Sequence, residues 1–306
     1  MPTRHGGPVT EFRVPEQLAV PVRGGDLAVL HWPADTPGAP VVVLVHGITG
    51  NGLSWARVAG ALGSDIEVFA PDLRGRAGSA GLPGPWGMTS HADDVLALLD
   101  AVGAPQAVLA GHSMGGFVVA VAAAGTARDR VRGLVLVDGG LPFPVTPAAD
   151  VQATLAAVLG PALERLALTW PDLAAVRAFW AQHPAVGPWV DVPSVAAYLA
   201  RDLVTTQAGL RSACVAEAIS TDGAQFLTDA TVLEATMHLP VPATLLWAPR
   251  GLLDQTPGLY DDERVAAMGR PRVTAREVPD SNHYSILWAE QGVTAVREAI
   301  RAAALG

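Results

Sequence analysis

The chain has 306 residues, 50% of them apolar and 16% charged, which is enough to bury a large core in one α/β domain or about two smaller ones. A formal charge of −9, a pI near 5.3 and the lack of any basic stripe exclude nucleic acid as an expected partner. All 20 basic residues are arginines, so the chain has no lysine for a Walker-type phosphate loop, a Schiff-base cofactor or a Ser-Lys dyad.

The opening residues lack an apolar stretch followed by a small-residue cleavage site, and no run of about 18 uncharged apolar residues occurs. The expectation is a cytoplasmic protein with no membrane partner. The single Cys214 cannot form an internal disulfide or a multi-cysteine zinc site, and reads as small core filler.

In chain order, 27–32 and 41–47 read as strands, 54–63 as a helix and 67–73 as a strand. A helix over 89–103 carries Val95, Leu98, Leu99 and Val102 at helical spacing and closes on Gly103. Then come a strand over 106–111, a buried helix over 116–126 and a strand over 131–140. Fully apolar strands separated by helices imply a mostly parallel sheet covered on both faces. From 141 to 240 the alternation stops and the segments read as helices, among them 150–170 and a long one over 193–220. A strand at 241–249, a helix at 262–269, a strand at 273–279 and a helix at 289–305 resume it. The expected organisation is an α/β core formed by 1–140 and 241–306, interrupted by a helical cap over 141–240.

One stretch of the core carries chemistry. Gly111-His112-Ser113-Met114-Gly115 lies between an apolar strand and an apolar helix, the context in which G-x-S-x-G projects a serine alone above a sheet. The turn is crowded, so its flanking residues must be tiny. A serine hydroxyl needs a base, and the base needs a third group to orient it. His283, after the last strand, is the best-placed of the eight histidines. The carboxylate has two candidates. Asp254 follows the strand at 241–249 and is favoured, and Asp138 ends the strand at 131–140. The developing oxyanion also needs donors. The backbone N–H groups of Met114, at the start of the helix, and of Ile48, in the glycine-rich loop 45–52, are the candidates.

With "VHGITG", "GHSMGG" and "NHY" in this order, the chain resembles the α/β-hydrolase family over nearly all its length, including "DLRGRAGS" at 72–79. The resemblance implies a cofactor-free, metal-free esterase or lactonase, or a perhydrolase. It disfavours epoxide hydrolases and haloalkane dehalogenases, which use an aspartate where this chain has Ser113. A carbon–carbon bond hydrolase on the same three residues and a ligand-binding role are the alternatives. The expected substrate is a neutral, fairly apolar small-molecule ester or lactone, bordered by Trp180 and Trp189 of the insertion and by His112. Phe143 is another aromatic side chain of that insertion.

Overall fold

The computed structural model describes residues 12–125, 127–142, 160–267, 269 and 272–306. Its centre is an eight-stranded sheet. Strand β1 (Glu16–Val22) pairs antiparallel with β2 (Gly25–Trp32), which pairs antiparallel with β4 (Glu67–Pro71). From there the sheet is parallel, in the order β4, β3 (Val41–Val45), β5 (Ala107–His112), β6 (Val131–Val137), β9 (Ala243–Trp247) and β10 (Val273–Glu277). Sequence periodicity does not reveal β1, because Pro21 interrupts its pattern. Its position at the sheet edge is where a strand proline is tolerated.

Side chains alternate between two core layers, as the period of two requires. Val43 and Val45 of β3 and Leu109 of β5 face α2 (Met88–Ala101) and α3 (Met114–Ala124). Val42, Leu44, Val108 and Ala110 face α1 (Ala56–Leu62) and the closing helix Glu290–Leu305. The helix α3 is buried at every residue but its last, Ala124, which explains its uniformly apolar sequence.

Among the described residues, the stretch between β6 and β9 contains helical residues over 160–166, then α4 (Leu173–Ala181), α5 (Pro193–Arg201), α6 (Ala216–Thr228) and α7 (Ala230–Met237). It is not all helical. Where one helix is expected over 193–220, the structure inserts an antiparallel hairpin, β7 (Leu203–Thr206) and β8 (Gly209–Ser212). The β-branched run Val204-Thr205-Thr206 favours extended backbone, and Gly209 takes φ 124°, which side chains resist. The backbone of Trp170 bonds to Leu210 in both directions and extends this small sheet. Phe226, Leu227 and Val232 join the same apolar layer as α2 and α3, so α6 and α7 lie on the core. Phe143, and the first ten residues of the helix expected over 150–170, lie outside the described residues.

The loop after β4 holds this arrangement with buried ions. Arg74 grips Asp94 of α2 with two contacts, Nε to Oδ2 at 2.7 Å and Nη2 to Oδ1 at 2.6 Å, and Nη1 donates to Pro83 O. Both side chains are almost fully buried. Asp72 accepts from Arg201 of α5 and from the Gly52 and Gly78 N–H groups. Removing one partner of a buried pair strands the other charge. Arg74→Met should therefore cost about 3–5 kcal/mol of unfolding free energy. In urea titration this appears as a lower midpoint at unchanged slope; a loss under about 1 kcal/mol would show that Asp94 relaxes to water instead.

Candidate active site

Because β3, β5, β6 and β9 are parallel neighbours, the loops at their C-terminal ends meet along one edge of the sheet. The turn from β5 into α3 is Ser113, with φ 54° and ψ −124°. That conformation costs a residue with a side chain roughly 1–3 kcal/mol, so its surroundings must hold it. The Ser113 N–H donates to Val137 O at 2.9 Å and the Gly116 N–H to Ser113 O at 3.0 Å. The flanking glycines are sterically required: a Cβ on Gly111 would fall 2.2 Å from Gly115 O, and one on Gly115 would fall 2.2 Å from Val45 O.

The end of β6 abuts this turn, since the Cβ position of Gly139 lies 2.4 Å from Ser113 Cα. Just before it, Asp138 is wholly buried, in a left-handed conformation at φ 45°. Its Oδ1 accepts from the Ala248 N–H at 3.1 Å and its Oδ2 from His283 Nδ1 at 2.6 Å. A carboxylate that accepts at Nδ1 fixes the imidazole tautomer and leaves Nε2 without a proton, available as a base. The His283 ring lies 4.7 Å from that of His112, centroid to centroid, beside Ser113.

The favoured carboxylate of the sequence reading, Asp254, is not the one that touches His283. Asp254 lies in the loop after β9, pairs with Arg250 at 2.9 Å and accepts from Asn282 Nδ2 at 2.8 Å. The strand register explains the difference. Val137 of β6 aligns with Leu246 of β9, so Asp138 stands level with the end of β9, whereas Asp254 lies seven residues beyond Trp247 and is about one-third exposed. Asp254 acts on the loop instead. Asn282, which it holds, accepts from the Tyr284 and Ser285 N–H groups, and Ser285 Oγ accepts from the Asn282 N–H. This turn presents His283.

Both candidate oxyanion donors belong to segments that adjoin Ser113. Met114 is the first residue of α3, where helix N–H groups have no intrahelical acceptor. Gly47 approaches Ser113, with its Cβ position 3.5 Å from Ser113 Oγ, and Ile48 follows it. Wholly buried His46 aims this loop. Its Nε2 accepts from the Leu73 N–H at 2.9 Å, so its Nδ1 carries the proton and donates to Gly47 O at 2.7 Å. Because the Gly47–Ile48 peptide is planar, holding the carbonyl also directs the Ile48 N–H. Burial, and secondarily Arg76, pushes the His46 pKa down to about 3, so the ring stays neutral. His112 likewise donates from Nε2 to His283 O at 2.8 Å, and burial followed by the nearby His283 holds its pKa well below the usual histidine range.

Trp180 and Trp189 are both half-buried against the α1-side layer. Trp180 is joined to the site by rings: it contacts His183 at 5.5 Å, His183 contacts Tyr284 at 5.7 Å, and Tyr284 contacts His283 at 5.4 Å. His183 and Tyr284 were not singled out in the sequence, where an isolated histidine or tyrosine carries no spacing signal. Cys214 is buried, and its thiol is pushed up to about 12, chiefly by burial and then by Asp202. Among the described residues no cluster of three or more His, Cys, Asp or Glu is placed to hold a metal, and no helix is long and apolar enough to cross a membrane.

Histidines buried in the neutral form make stability fall as acid is added, because only the unfolded chain takes up their protons below about pH 6.5. His46 and His112 contribute in the window below that value and above their own depressed pKa values. His112→Asn should therefore flatten the dependence of unfolding free energy on pH between about 6 and 5 by up to ~1.4 kcal/mol per pH unit. Chemical denaturation at a series of pH values measures this; an unchanged slope would mean that His112 titrates normally.

The family profile described as alpha/beta hydrolase fold matches residues 40–289. Among curated proteins, the chain is 34% identical over 164 residues to the lipase LipV of Mycobacterium tuberculosis, and 37% identical over 145 residues to epoxide hydrolase A of the same organism. These alignments take in 53% and 46% of this chain, and 57% and 43% of those relatives' own lengths. Among solved structures, E-2-(acetamidomethylene)succinate hydrolase superposes with a TM-score of 0.74 at 22% identity, covering 93% of this chain and 98% of that one. A family match over most of the sequence and a shared fold over nearly all of it agree: the chain belongs to the alpha/beta hydrolase fold family.

Proposed function

We propose that this hydrolase-fold protein cleaves a carboxylic ester or lactone of a neutral, fairly apolar small molecule through an acyl-enzyme on Ser113. The observation that carries this reading is the bond from His283 Nδ1 to Asp138 Oδ2 beside the strained Ser113 turn. The base nitrogen Nε2 takes the Ser113 proton as Oγ bonds to the carbonyl carbon. The carbonyl electrons move to its oxygen, where the Met114 and Ile48 N–H groups receive the charge. Collapse breaks the ester bond, and the departing alkoxide takes the proton from His283. Water then repeats the sequence: His283 accepts its proton, the hydroxide oxygen bonds to the acyl carbon, and Ser113 leaves with that proton. Asp138 stays ionised, holds the ring and stabilises its cation.

Ser113 separates this chemistry from that of the similar epoxide hydrolase, since a family member that forms an alkyl-enzyme ester places an aspartate there. The rings of Trp180, His183 and Tyr284 support a largely apolar pocket wall. The stretch over 141–240, helices and hairpin together, is proposed as the cap over that pocket.

The test uses p-nitrophenyl esters of short acids, a set of lactones and a serine-directed phosphonate. Ser113→Ala should fold normally and lose several powers of ten in kcat, the oxyanion donors alone retaining only ~10³–10⁴ over water. Near-normal turnover by this variant would refute the serine mechanism. Asp138→Asn should lose up to ~10⁴ in kcat, because it destroys the tautomer control on His283. Asp254→Asn, measured beside it, should lose much less than Asp138→Asn; the reverse order would return the acid role to Asp254.

A further inference from the structure

Arg76 is a wholly buried cation that the reaction steps above do not use. It lies in the loop after β4, and each arm of its guanidinium is engaged. Nε donates to Ile48 O at 2.9 Å, and Nη1 to Arg74 O at 2.9 Å. Nη2 pairs with Asp222 Oδ2 at 2.5 Å and lies 3.9 Å from Met114 Sδ. It thus touches both residues proposed as oxyanion donors. Asp222 comes from α6, in the stretch between β6 and β9, and the same Oδ2 accepts from His91 Nε2 of α2 at 2.8 Å. Burial opposes a charged carboxylate, but His91 and Arg76 outweigh it and hold the Asp222 pKa below its usual value.

A buried ion pair is a poor device for stability alone, since well-packed apolar residues of similar volume serve as well or better. Its planar fork does supply fixed direction. We infer that Arg76 is a positioning residue for the oxyanion loop, with Asp222 as its fixed counter-charge. The inference rests on Ser113 being the nucleophile.

The geometry is specific to Ile48. The peptide before this residue is held by His46 on Gly47 O, and the peptide after it by Arg76 on Ile48 O. With both planar units pinned, the direction of the Ile48 N–H is set from two sides. The same inserted stretch grips neighbouring positions: Asn51 Nδ2 donates to Tyr198 O, the Val215 N–H donates to Gly75 O, and Arg201 pairs with Asp72, which accepts from the Gly52 N–H. The insertion therefore holds part of the proposed catalytic machinery in place, and Arg76 carries that hold directly to Ile48.

The experiment compares wild type, Arg76→Met, Asp222→Asn and the double variant Arg76→Met/Asp222→Leu, which removes both members of the ion pair and guards against loss of folding through one stranded charge. Active sites are counted by phosphonate titration. The kcat and KM for p-nitrophenyl butyrate, and affinity for a trifluoromethyl ketone whose adduct places an oxyanion at the site, are measured per titrated site. Removing Arg76 should lower kcat about 10²-fold, the scale of one lost oxyanion donor, with KM changed less than about twofold. Affinity for the ketone should fall by the same factor as kcat. Asp222→Asn should fall in the same direction by a smaller factor. If the variants lose thermal stability or titratable sites while kcat and ketone affinity per site stay at wild-type values, Arg76 is only structural and the inference is overturned. A wild-type protein that neither takes the phosphonate on Ser113 nor turns over any ester or lactone fails earlier, overturning the serine reading and this inference with it.

Discussion

The site depends on one unfavourable backbone conformation, that of Ser113. A residue with a side chain at φ 54° persists only where its neighbours leave no alternative, and here they come from the two strands on either side of β5. Val137 O at the end of β6 holds the Ser113 N–H, the Gly139 backbone packs against its Cα, and Val45 at the end of β3 sits against Gly115 so closely that no side chain fits. The same crowding brings the other parts within reach. The loop carrying Ile48 leaves β3, Ser113 leaves β5 and Asp138 leaves β6, so a tight junction of three strand ends brings together the residues of the proposed site.

Around this junction the protein uses buried arginine–aspartate pairs to join elements distant in sequence. Arg74 with Asp94 joins the loop after β4 to α2, Arg201 with Asp72 joins α5 to that loop, Arg76 with Asp222 joins it to α6, and Arg165 with Asp202 lies within the inserted stretch. In a chain without lysine, every such cation is a planar fork with several donors, so each pair fixes orientation as well as distance. The loop carrying Ile48 lies among these ties, with Arg76 on Ile48 O and Asp72 on the Gly52 N–H. The histidines beside it are kept neutral by burial, which lets each ring donate from one nitrogen in a defined direction.

The sequence alone determined what depends on local pattern. Apolar runs separated by helical periodicity specify a parallel sheet with both faces covered, because such strands must be buried on each side. The serine turn was legible because its G-x-S-x-G pattern lies between an apolar strand and an apolar helix, and His283 because it follows the last strand. Strand β1 and the hairpin over Leu203–Ser212 were not legible, since a proline masks one and flanking helical residues mask the other, and both are settled by pairing with partners elsewhere.

The choice of carboxylate was decided by tertiary structure. Asp138 and Asp254 both follow parallel strands in plausible order, and only the register of β6 against β9 places Asp138 level with the His283 ring while Asp254 turns outward to Arg250 and Asn282. Arg76 is a similar case: nothing in its neighbours along the chain distinguishes it from a solvated arginine. Its role comes from Ile48, Asp222 and Met114, which lie 28, 146 and 38 residues away and meet it only in the folded chain. Local pattern specifies elements because it acts through neighbouring residues. Register and buried charge pairing act between residues far apart in the chain, and so exist only once the elements have packed.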